Sequence, residues 1–313
     1  MTDRDAMALA LAEQVDLQLD QLNRLAEGAP ALDVIRSAIA SSTMKLVSNE
    51  PVVRLGEDPG GIHKARVVAR RLRSDLLMFR PLLDRDWADA LREEIGWLGR
   101  LLGPIRDAEV LGARIQQRVA AMVGLEPTSA KTLLDGLESD RLAGRRRLLA
   151  GMRSRRYEAL VVRLVRAGRE PVSRSEWVDR PAASTRSLMK RPWAKLSSGA
   201  KALGPGSSDA SLHATRIETK RVRYGAEALV PVFGERAARF ASAAETLQKI
   251  LGEHQDAVVA MAWLTDRAME VDDRAVAFTA GRLAELETVS RDRAREAWPK
   301  AWKRLEQRKR FWT

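Results

Sequence analysis

Two stretches of this chain carry the same row of cationic side chains. In GGIHKARVVARRLRSDLLMFRPLL, residues 60–83, the row is His63, Arg66, Arg70 and Arg73; 150 residues later, in SLHATRIETKRVRYGAEALVPVF, residues 211–233, it is His213, Arg216, Lys220 and Arg223. The same offset sets Arg71 on Arg221, Leu72 on Val222 and Pro81 on Pro231. Arginine offers a planar fork that pairs two oxygens of one anion, lysine a point charge, and histidine a charge that comes and goes near neutral pH. A row of such groups suits a ligand that repeats anionic oxygens along its length.

The row needs a helix to align it. At about 100° per residue, His63, Arg66, Arg70 and Arg73 fall within an arc of roughly 80°. Ala65, Val68, Leu72, Leu76 and Phe79 gather behind them, and in the second copy Val222, Ala226 and Leu229 lie behind His213, Arg216, Lys220 and Arg223. Arg71 and Arg221 sit about 100° off the stripe. A solvated helical face mixes signs at i,i+4, whereas from His63 to Arg80 there are six Lys or Arg against one acid, Asp75. That crowding, kept twice, favours a functional stripe over a merely exposed one.

Each stripe follows a loop, GEDPGG or GPGSSDA, that leaves its histidine in the first turn of the helix, where unpaired N–H groups favour an anion. Ser208 or Asp209 is the expected N-cap of the second. A further echo joins LGPIRDAEVL, residues 102–111, to LGEHQDAVVA, residues 251–260, pairing Arg100 with Lys249, Gly103 with Gly252, Arg106 with Gln255 and Asp107 with Asp256. Gly103-Pro104 predicts a helix break there and a bend in the second copy. Asp107 and Asp256 are then either caps of the following helix or groups that orient neighbouring basic side chains.

Helical periodicity extends over the rest. Helices are expected over Ala6–Ala26, Leu32–Val47 (closed by Asn49 and Pro51), a Trp87–Leu102 segment, an Arg-rich Ser129–Ala167 stretch, Met189–Leu203, Arg236–Leu251, Ala257–Ala268 and Asp273–Ala297. In the tail, Trp298, Trp302 and Leu305 have docking spacing. Strand patterns are missing. The chain therefore reads as all-α: two related antiparallel four-helix bundles from an internal duplication, facing each other across a pseudo-two-fold with a basic central surface or channel. The expected division is an N-terminal extension over residues 1–30, a first half over about 31–169, a linker over about 170–183 and a second half over about 184–313.

Composition narrows the partner. The 313 residues carry a net charge of +12, a sequence pI near 10.5, 45% hydrophobic content and no cysteine. The charge points to a polyanion; the missing cysteines exclude disulfides and thiolate chemistry. With acids at the start in place of a signal peptide and no long apolar run, a cytoplasmic location without membrane insertion is the expectation.

The motifs resemble the CHAD domain, the conserved-histidine α-helical domain that binds inorganic polyphosphate. Its first motif is similar to His63-x-x-Arg66-Val67-x-x-Arg70-Arg71-Leu72-Arg73, its second to His213-x-x-Arg216-x-x-x-Lys220-Arg221-x-Arg223-Tyr224. The LGPIRD and LGEHQD elements, the Arg156-Tyr157 pair and the Trp-rich basic tail fit as well, so the resemblance runs from about Leu32 to Phe311. It implies that polyphosphate is held by His63, Arg66, Arg70, Arg71, Arg73, Arg100, Arg106, His213, Arg216, Lys220, Arg221, Arg223, Tyr224, Lys249 and His254. It also implies association with polyphosphate granules and their proteins. Many relatives carry an N-terminal triphosphate-tunnel domain; the stretch before His63 shows no ExExK signature and no room for a β-tunnel.

Three function classes follow from the residues. Non-catalytic binding of polyphosphate, without cofactor or metal, is the expectation, since rows of Arg and Lys read phosphate oxygens without needing aromatics, which are 5% of the chain. Scarce aromatics and no recognised nucleic-acid motif speak against specific nucleic-acid binding, leaving a non-specific nucleic-acid or anionic-surface binder as one alternative. The other is a phosphoanhydride-processing enzyme with a histidine as acid or phosphoryl acceptor, for which the metal-holding carboxylate cluster is missing.

Overall fold

The computed structural model describes residues 29–58, 60–122, 127–177 and 180–308, with Leu25 and Trp312. The helix expected over Ala6–Ala26 lies outside them but for Leu25. In chain order the helices are α1 (Ala31–Ser48), α2 (Glu50–Leu55), α3 (Gly60–Phe79), α4 (Arg85–Ala120), α5 (Pro127–Met152), α6 (Arg155–Arg169), α7 (Lys190–Ala202), α8 (Asp209–Ala228), α9 (Val230–Glu270) and α10 (Arg274–Glu306), with 3-10 turns at Ser175–Trp177 and Ala182–Met189. The described residues hold no strand, only two isolated bridges, Pro30 to Pro181 and Leu83 to Ser173. No described helix is long and apolar enough to cross a membrane.

The two stripe-bearing helices are built alike. Each spans 20 residues and leads directly into a rod, α4 of 36 residues or α9 of 41. Asp58 Oδ1 accepts from the Gly60 N–H at 2.7 Å to open α3, and Ser208 Oγ accepts from the Ser211 N–H at 3.2 Å to cap α8. Ala65, Val68, Leu72, Leu76 and Phe79 of α3 are buried, as are Val222 and Ala226 of α8 and the adjoining Leu229. Helix α3 packs on α1 and α4, α8 packs on α7 and α9, and the two halves meet where α3 touches α8. Gly225 makes that approach possible: a Cβ there would lie 2.8 Å from Met78 Sδ and 2.9 Å from Met189 Sδ.

A second tie lies further along the rods. Arg114 of α4 donates to Glu287 of α10 at 2.7 Å and to Glu253 of α9 at 2.7 Å, and Arg118 donates to Glu287 at 2.9 Å. The basic tail docks as its spacing predicts. Trp298, Trp302 and Leu305 are buried, and the Trp302 and Trp193 rings stack at 5.4 Å.

Four helix boundaries differ from expectation. Helix α4 runs unbroken through Gly103-Pro104, and α9 through residues 251–256. Pro104 is exposed while Leu102 and Ile105 are buried, so the ring points away from the core and packing on both sides keeps the rod whole. The real interruption in α9 is at Gly234, whose φ of 57° and ψ of −139° separate an opening turn from the rod. That rod joins the Arg236–Leu251 and Ala257–Ala268 segments into one helix. The Ser129–Ala167 stretch divides instead, because Ser154 accepts from Tyr157 N and caps a new helix. Pro51 stands in the first turn of α2 rather than closing the chain, and Asn49 Nδ2 donates to the Gly61 carbonyl at 2.7 Å.

Candidate functional site

The seam between α3 and α8 brings both stripes together. Arg70 Nε donates to Tyr224 Oη across the seam at 3.0 Å. Lys220 is close enough to Arg216, Arg70 and Arg66 for all three to destabilise its charge, and His63 feels Arg106 and Arg70 in the same way. Cations from α3, α4 and α8 therefore converge on one surface.

Most of the basic residues near this surface already have a carboxylate. Arg66 pairs with Asp107 at 3.2 Å, Arg100 with Glu93 at 2.7 Å, Arg106 with Glu109 at 3.3 Å, and Lys249 with Glu245 at 3.5 Å. Arg223 Nε donates to Glu227 at 2.6 Å, and Arg221 to Glu218 at 2.5 Å. Arg71 is held by Glu227 and lies 3.7 Å from Asp75. The crowding of like charge along α3 is thus relieved in part by acids from other helices, which one-helix spacing does not display.

Several side chains, exposed Arg73 among them, have no such partner. Arg70 meets only the Tyr224 hydroxyl, while Arg216, Lys220 and His63 make no hydrogen bond or ion pair within the described residues. Arg216 Nε is buried and unsatisfied. Burial, opposed by Asp256 and reinforced by Arg70, holds the Arg216 guanidinium below its usual pKa. Burial together with Arg216 and Arg70 brings the Lys220 amine down to about 7. The His63 imidazole is also lowered, by desolvation and by Arg106 and Arg70. A partly buried cation without a counter-ion is costly, and an arriving anion relieves that cost.

The paired aspartates are not caps, since both lie inside rods. Asp107 orients Arg66, whose guanidinium also reaches the Gly99 carbonyl at 3.4 Å. Asp256 faces Arg216 and Lys220, and burial raises its pKa. Of the glycines that accompany them, Gly103 makes room: a Cβ there would stand 2.9 Å from an Arg66 nitrogen, whereas one on Gly252 would meet Arg216 Nε at an ordinary 3.8 Å. Gly103→Ala is accordingly expected to displace the Arg66 guanidinium and weaken anion binding several-fold with helicity unchanged; titration of the variant by calorimetry beside its circular dichroism spectrum checks this.

Other expected ligands take structural positions. His254 is 1% exposed, and its Nε2 lies 3.0 Å from Asp209 Oδ1, which Arg295 also holds at 2.6 Å; it anchors the start of α8 to α9 and α10 and is not available to an anion. Tyr224 is 2% exposed and positions Arg70 rather than presenting itself. Arg73 is exposed beside Gly96, and His213 Nδ1 lies 2.5 Å from Gln255 Oε1. Of the Arg156-Tyr157 pair, Arg156 binds Glu94 at 2.8 Å and Tyr157 donates to Glu50 at 3.0 Å.

A family model described as the CHAD domain matches residues 37–265. The chain belongs to the CHAD-domain family. Over 291 residues it is 30% identical to an uncharacterized Mycobacterium tuberculosis protein, found in two strains, with 88% of this chain and 54% of the relative aligned. This CHAD chain thus spans about half the length of those curated relatives. The CHAD domain from the plant Ricinus communis superposes with a TM-score of 0.73 at 25% identity, covering 90% of this chain and 94% of that one. PptA from Streptomyces chartreusis shares the fold, with a TM-score of 0.72 at 20% identity over 88% of this chain and 99% of that one.

Proposed function

We propose that this CHAD domain binds inorganic polyphosphate, without turning it over, along the seam of α3 and α8. The observation that carries the reading is the group Arg70, Arg216 and Lys220: three partly buried cations without a salt-bridged carboxylate, in a protein that pairs most of the cations around them. Polyphosphate is a flexible row of anionic oxygens and carries no bases, so it can fill such a seam without stacking partners. The family resemblance and the two His/Arg motifs support the same ligand. His63, Arg66 and Arg73 extend the row along α3. A cytoplasmic role at polyphosphate granules, with granule proteins as partners, belongs to the same proposal.

Binding without turnover is supported by the state of the nearby acids. Asp107 is engaged by Arg66, and the carboxylate nearest in charge to Asp256, Glu253, is held by Arg114. Phosphoryl transfer usually needs carboxylates free to gather metal ions. Release of orthophosphate from long chains in the presence of Mg²⁺, lost on changing His63, would overturn this part.

Titration with polyphosphates of graded length, at several salt concentrations and with a DNA competitor, tests the whole reading. Each neutralised phosphate is expected to contribute about −0.7 to the slope of log K against log salt, so four contacts give roughly −3. Triphosphate should bind more weakly and with a shallower slope than a chain that spans both stripes. Equal affinity and slope for triphosphate would replace the extended site with a compact pocket. Displacement by DNA at equal phosphate concentration would make the protein a general polyanion binder.

A further inference from the structure

Among the partly buried basic residues that carry the seam, Lys220 is the one amine. Lys220 follows Arg216 by one helical turn, has Arg70 and Arg66 near it from α3, and makes no hydrogen bond or ion pair within the described residues. The other lysines close to the stripes are occupied: Lys64 lies 3.5 Å from Asp58, and Lys249 3.5 Å from Glu245.

We propose that Lys220 is a site of acylation by acyl phosphates, with Arg216 and Arg70 holding the phosphate while the acyl carbon meets the lysine nitrogen. The inference rests on the seam being an anion site, but not on that anion being polyphosphate. An acyl phosphate joins a phosphate, which guanidiniums grip, to an electrophilic carbonyl one bond away. Binding of the phosphate therefore holds the carbonyl within reach of Nζ and turns a bimolecular reaction into a local one. The nitrogen lone pair attacks the carbonyl carbon, an N–C bond forms, and the C–O bond to phosphorus breaks. Orthophosphate leaves with that electron pair, and the amine proton passes to it or to water. No oxidant, reductant or metal enters the balance. Only a neutral amine attacks, and burial, joined by the cations around Lys220, favours that form near neutral pH.

Acylation has a defined consequence. The amide cannot take up a proton, so the seam loses a charge and its affinity for anions falls while Arg70 and Arg216 stay in place. The modification would couple polyphosphate binding to the supply of acyl phosphates.

The test incubates the full chain with acetyl phosphate at mildly alkaline pH and follows each lysine by peptide mass spectrometry. Lys220 is expected to react at least about tenfold faster than Lys249, whose side chain is 73% exposed. Orthophosphate should slow Lys220 and leave Lys249 unchanged. From whatever affinity Lys220→Arg starts, acetyl phosphate should not lower it further, while Lys220→Gln should reproduce the loss seen in the treated wild-type chain. Labelling of Lys220 no faster than Lys249, or indifferent to orthophosphate, overturns the proposal. A polyphosphate titration of the same sample separates the two ideas. Intact binding with slow labelling sinks acylation alone, whereas fast, phosphate-inhibited labelling without polyphosphate binding sinks the polyphosphate reading alone.

Discussion

Replacing Arg70, Arg216 and Lys220 together with alanine is expected to lower polyphosphate affinity at least about a hundredfold and to leave the apo protein as stable as before, or more so. Three charge-assisted contacts at about 1.5 kcal/mol each correspond to about three powers of ten, and non-additivity lowers the figure. The stability half of the prediction follows from the missing counter-ions. Lys220 has a folded pKa of about 7 against 10.5 for the free side chain, so folding is penalised once pH drops below the unfolded value. That penalty grows down to about pH 7 and is constant below it. Its removal should raise Tm at neutral pH and do little near the lysine's ordinary pKa. The control is Arg221→Ala, which removes an arginine already bound to Glu218 and should change affinity only a few-fold. Calorimetric titration and thermal melts of both variants decide the matter, and an Arg221 effect equal to that of the triple variant would refute the division into free and paired cations.

Polyphosphate binding is expected to take up close to one proton per complex at mildly alkaline pH. In the free protein burial brings the Lys220 pKa down to about 7, with Arg216, Arg70 and Arg66 also opposing its charge and Asp256 favouring it. A phosphate chain beside it restores the ammonium and draws the pKa back toward 10.5. The sign follows directly: between these two values binding consumes a proton, so affinity falls as pH rises, by up to about tenfold per unit. His63 adds a smaller step on the acid side, since its free-state pKa is below the usual 6.5 and an anion raises it. Calorimetry in buffers of different ionisation enthalpy measures the proton count directly. Lys220→Met should remove the alkaline step and keep the acid one.

The spacing of His63, Arg66, Arg70 and Arg73, and of its echo, sufficed to foresee α3 and α8, their buried faces and the convergence of their basic sides. Periodicity reports what one helix presents. It does not report which acids other helices bring, and here Glu227 and Asp107 commit Arg71 and Arg66. The resemblance likewise set His254 among the ligands, whereas its partners are Asp209 and the start of α8. Pro104 misled differently: a local breaking signal was outweighed by the burial of Leu102 and Ile105 along the rod. The glycine pair was visible as an echo in the sequence, and the close approach of the Arg66 guanidinium explains Gly103.

Glu227 serves two masters. It binds Arg223 on its own helix and Arg71 on the other half, beside an Asp75 that is 0% exposed, with both carboxyl oxygens unsatisfied and a pKa raised to about 7, chiefly by burial. Neither half is self-sufficient for that reason: expressed alone, the first would leave Arg71 and Asp75 with one weak contact between them, and the second would open Tyr224 and Gly225 to water. A fragment meant to retain the α3–α8 seam must therefore keep both helices, and a chimera that exchanges one of them must exchange the other.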